Sequence, residues 1–156
     1  ERNLFIGSLD LTDLPSRVKV FAASQNKLSG TLNLQGLPGC LVELALSRNL
    51  FSGESFLGSL PNSLTDLYWR YNQLVGEVSI ESLPKGFQRL NISHNQTTGD
   101  VRLHNLPADI QRIDRSNNDF EGTFSMETLP NELLTIDVSN NALRGTITLQ
   151  QGQSGR

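Results

Sequence analysis

An Asn recurs every 23 residues along this chain, at Asn3, Asn26, Asn49, Asn72, Asn95, Asn118 and Asn141, with no insertion or deletion between them. Four residues after each stands a Gly, from Gly7 to Gly145, and twelve after each of the first six stands a Pro, from Pro15 to Pro130, always preceded by Leu. A fixed period of this length excludes an ordinary closed core. Each unit is one supersecondary element that buries its apolar face only against its neighbours, so the 156 residues are expected to form one open-ended stack.

Within each unit the residues five and three before the Asn are mostly apolar and alternate with polar ones, as in Phe21 and Ala23, Leu44 and Leu46, Leu67 and Trp69, Leu90 and Ile92, Ile136 and Val138. A period of two is a strand with one buried face, and equivalent strands one turn apart pair in parallel. The Asn ends the strand and turns inward, where its carboxamide can satisfy backbone groups left open by the bend. Asn26, Asn49, Asn72, Asn95, Asn118 and Asn141 are therefore read as a structural ladder. The Gly that follows is expected at positive φ, and the Pro extends the Leu before it, so that together they steer the chain around the back. A second alternating stretch after the Gly, such as Thr31-Leu32-Asn33-Leu34 or Glu77-Val78-Ser79-Ile80, reads as a short strand on the opposite side. No segment shows helical periodicity.

The run Leu41, Leu44, Leu46, Asn49, closed by Phe51, resembles the core motif of the leucine-rich repeat family, and the resemblance covers essentially the whole chain. It implies a β-rich solenoid, a right-handed superhelix with a concave parallel sheet, short convex-side strands and little or no helix. In the plant extracellular type Pro follows the Gly closely, whereas here it stands eight residues beyond it. In that respect the chain is similar to the Leu-Pro-punctuated repeats of protists such as trypanosomatids.

The units divide residues 1–149, read as a single domain, into a partial first unit over 1–17, full units starting near 18, 41, 64, 87 and 110, and a last unit from 133, with 150–156 as a polar tail. Neither end looks like a cap with a polar outer face, which points to a fragment of a longer solenoid or to ends that pair with another molecule. The charge of −3, from 13 basic against 16 acidic residues, does not suit a nucleic-acid partner, and no apolar run is long enough to span a membrane. The lone Cys40 can form no intramolecular disulfide, which favours a cytoplasmic over a secreted location. Two glycosylation sequons, Asn91-Ile92-Ser93 and Asn95-Gln96-Thr97, pull the other way, but chance accounts for both in so Asn- and Ser-rich a chain, and Asn95 belongs to the ladder.

Function is sought in the outward positions that change from unit to unit. Two before the Asn, five of the six units with a complete strand motif carry Ser and the third carries Arg70; four before stand Ala22, Ala45, Tyr68, Asn91, Asp114 and Asp137. Tyr68, Arg70 and Tyr71, with Arg48, His94, Asn91 and Arg89 in adjacent rows, make an aromatic and basic patch of the composition favoured at interface centres. The plainer reading is that these side chains cover the sheet and stack on one another. Asp114 and Asp137 stand side by side; Arg89 and Arg112 are expected to neutralise them, and no His or further carboxylate completes a metal shell. Arg115 occupies an inward position and is expected to snorkel out past Asp114 or to twist its strand. Thr97, in a column of Phe and Leu, is expected to make a polar contact within its unit. The Gly-rich phosphate loop, the His-Glu-x-x-His zinc helix, the Gly-x-Ser-x-Gly elbow and the Cys-x-x-Cys pair are all absent, so no cofactor, metal or catalytic residue is assigned. The expectation is a non-catalytic module that binds a protein or peptide on its concave sheet, centred on Tyr68, Arg70, Tyr71, Arg48 and His94, with Asn91, Arg89 and Asp114 beside them. The alternative is a self-associating scaffold or surface protein that stacks through uncapped ends.

Overall fold

The computed structural model describes residues 2–54, 57–124 and 129–145, so the polar tail and the end of the last unit lie outside the described residues. Two parallel sheets face each other across the interior. The first has six strands, β2 (Val20–Ala22), β4 (Glu43–Ala45), β6 (Asp66–Tyr68), β8 (Arg89–Asn91), β10 (Arg112–Asp114) and β11 (Thr135–Asp137), stacked in that order. The second has five, β1 (Ile6–Ser8), β3 (Lys27–Gly30), β5 (Leu50–Glu54), β7 (Gln73–Glu77) and β9 (Gln96–Thr98). The one helical element among the described residues is a single 3-10 turn, Leu11–Asp13. This is the β-rich solenoid that the repeat implies.

The sheets do not share a register. In the first, partners are one full period apart, as in Leu44 against Leu67 and Leu67 against Leu90. In the second, partners are 21 residues apart, as in Ile6 against Lys27 and Val75 against Gln96. The ladder Asn joins the two. Asn95 donates from Nδ2 to the carbonyls of Ile92 (3.0 Å) and Ser93 (3.3 Å) in its own turn and of Trp69 (3.1 Å) in the turn before. Its Oδ1 accepts from Leu74 N at 3.0 Å, across the 21-residue offset of the second sheet. The carboxamide is thus the first rung of the second sheet and the last of the first. Asn49 and Asn118 repeat the pattern through Leu28 N and Thr97 N, and Asn26, Asn72 and Asn141 through Phe5 N, Phe51 N and Phe120 N.

That handover places the second strand earlier than the sequence pattern suggested. It begins directly after the Asn and ends at or beside the Gly, whose positive φ, 84° at Gly53 and 103° at Gly99, interrupts extended backbone. The stretch after the Gly forms no strand, yet Leu34, Val78 and Ile80 in it are buried. Its alternation reports burial without pairing. Each Pro then accepts from the N–H three residues on, as in Leu41 N to Pro38 O (2.9 Å) and Phe87 N to Pro84 O (3.0 Å), a turn that delivers the first core residue of the next unit.

Leu44, Leu46, Leu67, Trp69, Leu90, Ile92 and Ile113 fill the interior from the first sheet and its strand ends, Phe51 and Leu74 from the second, and Phe120 from the equivalent position one turn beyond β9. Arg115 departs from its expectation: it neither snorkels nor displaces its strand. It is 0 % exposed, lies with its guanidinium 3.8 Å from the Phe120 ring centre, and donates from Nη2 to Val78 O at 2.8 Å, while Nε and Nη1 have no partner. Burial lowers its pKa to about 10. Thr97, also 0 % exposed, bonds the ladder of the next turn, Oγ1 to Asn118 Oδ1 at 2.6 Å, rather than its own unit. The small side chain in the Phe and Leu column stands one turn from the large one in the aliphatic column, which keeps the interior volume level.

Candidate recognition face

The outward side of the first sheet carries the varying positions, and its backbone prepares them unevenly. The residue before every Asn is left-handed, with φ between 53° and 60°, at Arg2, Gln25, Arg48, Tyr71, His94, Asn117 and Asn140. This was not legible in the sequence, because the left-handed conformation usually selects Gly or Asn and only the last two units carry Asn there. The conformation turns the strand end so that the side chains of this row stack turn upon turn. Tyr71 lies between two neighbours: its ring is parallel to that of His94, 4.0 Å between centres and 11° between planes, and the Arg48 guanidinium sits 4.3 Å over its other face. Asn117 Nδ2 lies 3.3 Å from His94 Nε2 and Asn140 donates to Asn117 Oδ1 at 3.0 Å, so the row continues.

A second group forms further back along the strands. Asp66, buried in β6, accepts from Arg89 Nη1 (2.9 Å), Tyr68 hydroxyl (3.1 Å) and Thr65 Oγ1 (2.6 Å). Burial, and then the Asp66 charge, raise the Tyr68 pKa, and the hydrogen bond to Asp66 raises that of Arg89. Arg89 therefore does not neutralise Asp114 and Asp137 as expected. Asp66 holds it, and the signal was the opposite charge at the same position one unit away, Asp66 against Arg89 in register. Sequence reading had passed over Asp66 as a site residue.

Asp114 and Asp137 do lie side by side in β10 and β11, but each is occupied locally. Asp114 accepts from Ser116 N (3.1 Å) and Oγ (2.7 Å) on one oxygen and from Asn91 Nδ2 (3.0 Å) on the other. Asp137 accepts likewise from Ser139, whose hydroxyl and N–H hold its carboxyl below the ordinary 3.8. Asn91 closes the same turn with Ser93. The recurrent Ser two before the Asn thus finishes an Asx turn in these units. Arg70 breaks it.

The sequence-derived residues accordingly fall into three sets. Arg48, Tyr71 and His94 form one stack, Tyr68 and Arg89 share Asp66, and Asn91 and Asp114 are joined to each other. The Arg70 side chain, exposed between the first two sets, makes no hydrogen bond or ion pair among the described residues. Among those residues no group of His, Cys, Asp and Glu is placed to hold a metal, and no helix is long and apolar enough to cross a membrane. Cys40 Sγ is 3.1 Å from Ser16 O.

No protein-family model matches the chain, and no curated protein sequence matches it. Solved structures do. The leucine-rich-repeat ectodomain of the plant membrane receptor kinase GASSHO1/SCHENGEN3 from Arabidopsis thaliana, solved in complex with CASPARIAN STRIP INTEGRITY FACTOR 2, superposes with a TM-score of 0.78 at 24% identity over 90% of this chain and 18% of its own. The Arabidopsis receptor kinase HAESA, in complex with the peptide hormone IDA and the co-receptor SERK1, gives 0.68 at 25% identity over 90% of this chain and 24% of its own. A plant ice-binding protein gives 0.69 at 28% identity over 88% of this chain and 46% of its own. The chain spans less than half the length of each of these three. The architecture, read first from the Asn period and then in two parallel sheets, is that of a leucine-rich-repeat solenoid.

Proposed function

We propose that this chain is a non-catalytic recognition module that binds a protein or peptide on the outward face of the six-stranded sheet, around Tyr68, Arg70, Tyr71, Arg48 and His94. The observation that carries the reading is Arg70. Where the other five units carry a Ser, which in the last three closes an Asx turn, the third unit spends the position on an exposed guanidinium without a partner among the described residues, flanked by Tyr68 and by the Arg48–Tyr71–His94 stack. Large rigid aromatic area beside a free Arg is what interface centres use. The HAESA complex, formed with a peptide hormone, supports the reading by analogy of fold.

The test is capture of partners by the native chain and by a Tyr68→Ala, Arg70→Ala, Tyr71→Ala variant of equal circular dichroism. The variant is expected to lose the partner at least tenfold; retention at native affinity overturns the reading.

A second reading has its own observation. Leu4, Phe5, Ile6 and Val20 are exposed at one end of the stack, and Leu134 is 72 % exposed near the other. Such ends favour copies stacking on one another. Mass that rises with concentration in sedimentation, unchanged in the triple variant, would establish that reading.

A further inference from the structure

The face has a depression of about 390 Å³ over β4 and β6, and its charges are sorted along the strands. Its floor is low because the first two full units carry Ser24, Ala45 and Ser47, all buried, and Tyr68 of the third unit stands as its wall. Arg48 and Arg70 line it where the strands end; Glu43 lines it where β4 begins. The Arg48 guanidinium is held in place on the Tyr71 ring, Arg70 is free, and Glu43 forms no ion pair among the described residues. Glu43 and Arg48 stand five positions apart, and since β4 ends at Ala45 and the chain turns at Arg48, less than the ~16 Å of a fully extended backbone separates them. A partner that filled the depression with one kind of charge would meet repulsion at one end.

We infer that the depression takes an extended peptide segment of mixed charge, lying along β4 and β6, with a carboxylate on Arg48 and Arg70 and a basic side chain three to five residues away on Glu43. The inference rests on the reading of this face as a recognition surface. Two guanidiniums against one carboxylate make the acidic end of the peptide the stronger anchor, since charge-assisted bonds from Arg to a carboxylate are the strongest available there. The Tyr68 wall sets which pair of strands the peptide follows.

The probe is an array of heptapeptides, each with one Asp and one Lys on an Ala and Tyr background, at every separation from one to five residues and in both orders. Binding of the labelled native chain is expected to peak at separations of three to five, at least tenfold above peptides carrying two Asp, two Lys or neither. Arg70→Glu and Glu43→Arg should each lower that signal tenfold. A signal independent of separation, dependent on one charge alone, or absent overturns the inference. Binding that survives both reversals and is lost in Tyr68→Ala overturns the charge pattern while the face remains the recognition surface. Binding that survives the triple Ala variant overturns both.

Discussion

Arg115 illustrates what a residue can do that its column does not predict. The alternation placed its Cβ inward, and that held; where its guanidinium went depended on surroundings that a sequence does not display, namely the Phe120 ring and the carbonyl of Val78. With Nε and Nη1 unpartnered, the charge is only partly compensated. Arg115→Met, which keeps the length and removes the charge, should stabilise the fold by about 1–3 kcal/mol in urea denaturation. The pH dependence follows from a folded pKa that burial lowers to about 10, below that of a hydrated guanidinium. Below that range the unfolded chain hydrates a charge that the folded chain buries; across it the unfolded state holds more protons, so native stability rises with pH. The advantage of the Met variant should therefore shrink as pH rises past about 10, and an advantage that stays constant would place the guanidinium in water. Asn95 is the opposite case, legible because its role is the period itself. With four hydrogen bonds in the interior, Asn95→Ala should cost about 3 kcal/mol in the same assay.

At the scale of the element, the sequence was informative about the first strand and misleading about the second. Alternation found both, yet it measures burial, and only the first is also paired where the alternation lies. The Gly column was read as a φ requirement, which is correct, but the structure adds contact. A Cβ on Gly99 would stand 2.6 Å from Glu77 Cγ, whereas one on Gly7, at a similar φ, meets nothing within 4 Å. Gly99→Ala should thus lower the melting temperature more than Gly7→Ala, the shared part being about 1–2 kcal/mol of backbone strain. Equal losses in thermal denaturation would mean that Glu77 moves aside freely. The recognition face was legible as a composition and illegible as an arrangement: Tyr68, Arg70 and Tyr71 were identified from their departure from the columns, but the left-handed row that stacks Arg48, Tyr71 and His94 has no residue signature of its own.

For the whole molecule, stability in a stack is the sum of turns and of contacts between neighbouring turns. Among the described residues central strands have neighbours on both sides, whereas β2 and β11 have a partner on one side only. Native-state hydrogen exchange should find the amides of β6 and β8 most protected and those of β2 and β11 least, and uniform protection would mean that the solenoid opens as one unit. The ladder adds a direction to this. Each carboxamide reaches back, so Asn118 serves Thr97 N and Ile92 O of the turn before it and nothing in the turn after. A turn is therefore finished by its successor. During synthesis every loop of the coil waits, one repeat behind the growing end, for the next Asn to lock it, and a truncation that removes the last such residue undoes a turn whose own sequence is intact.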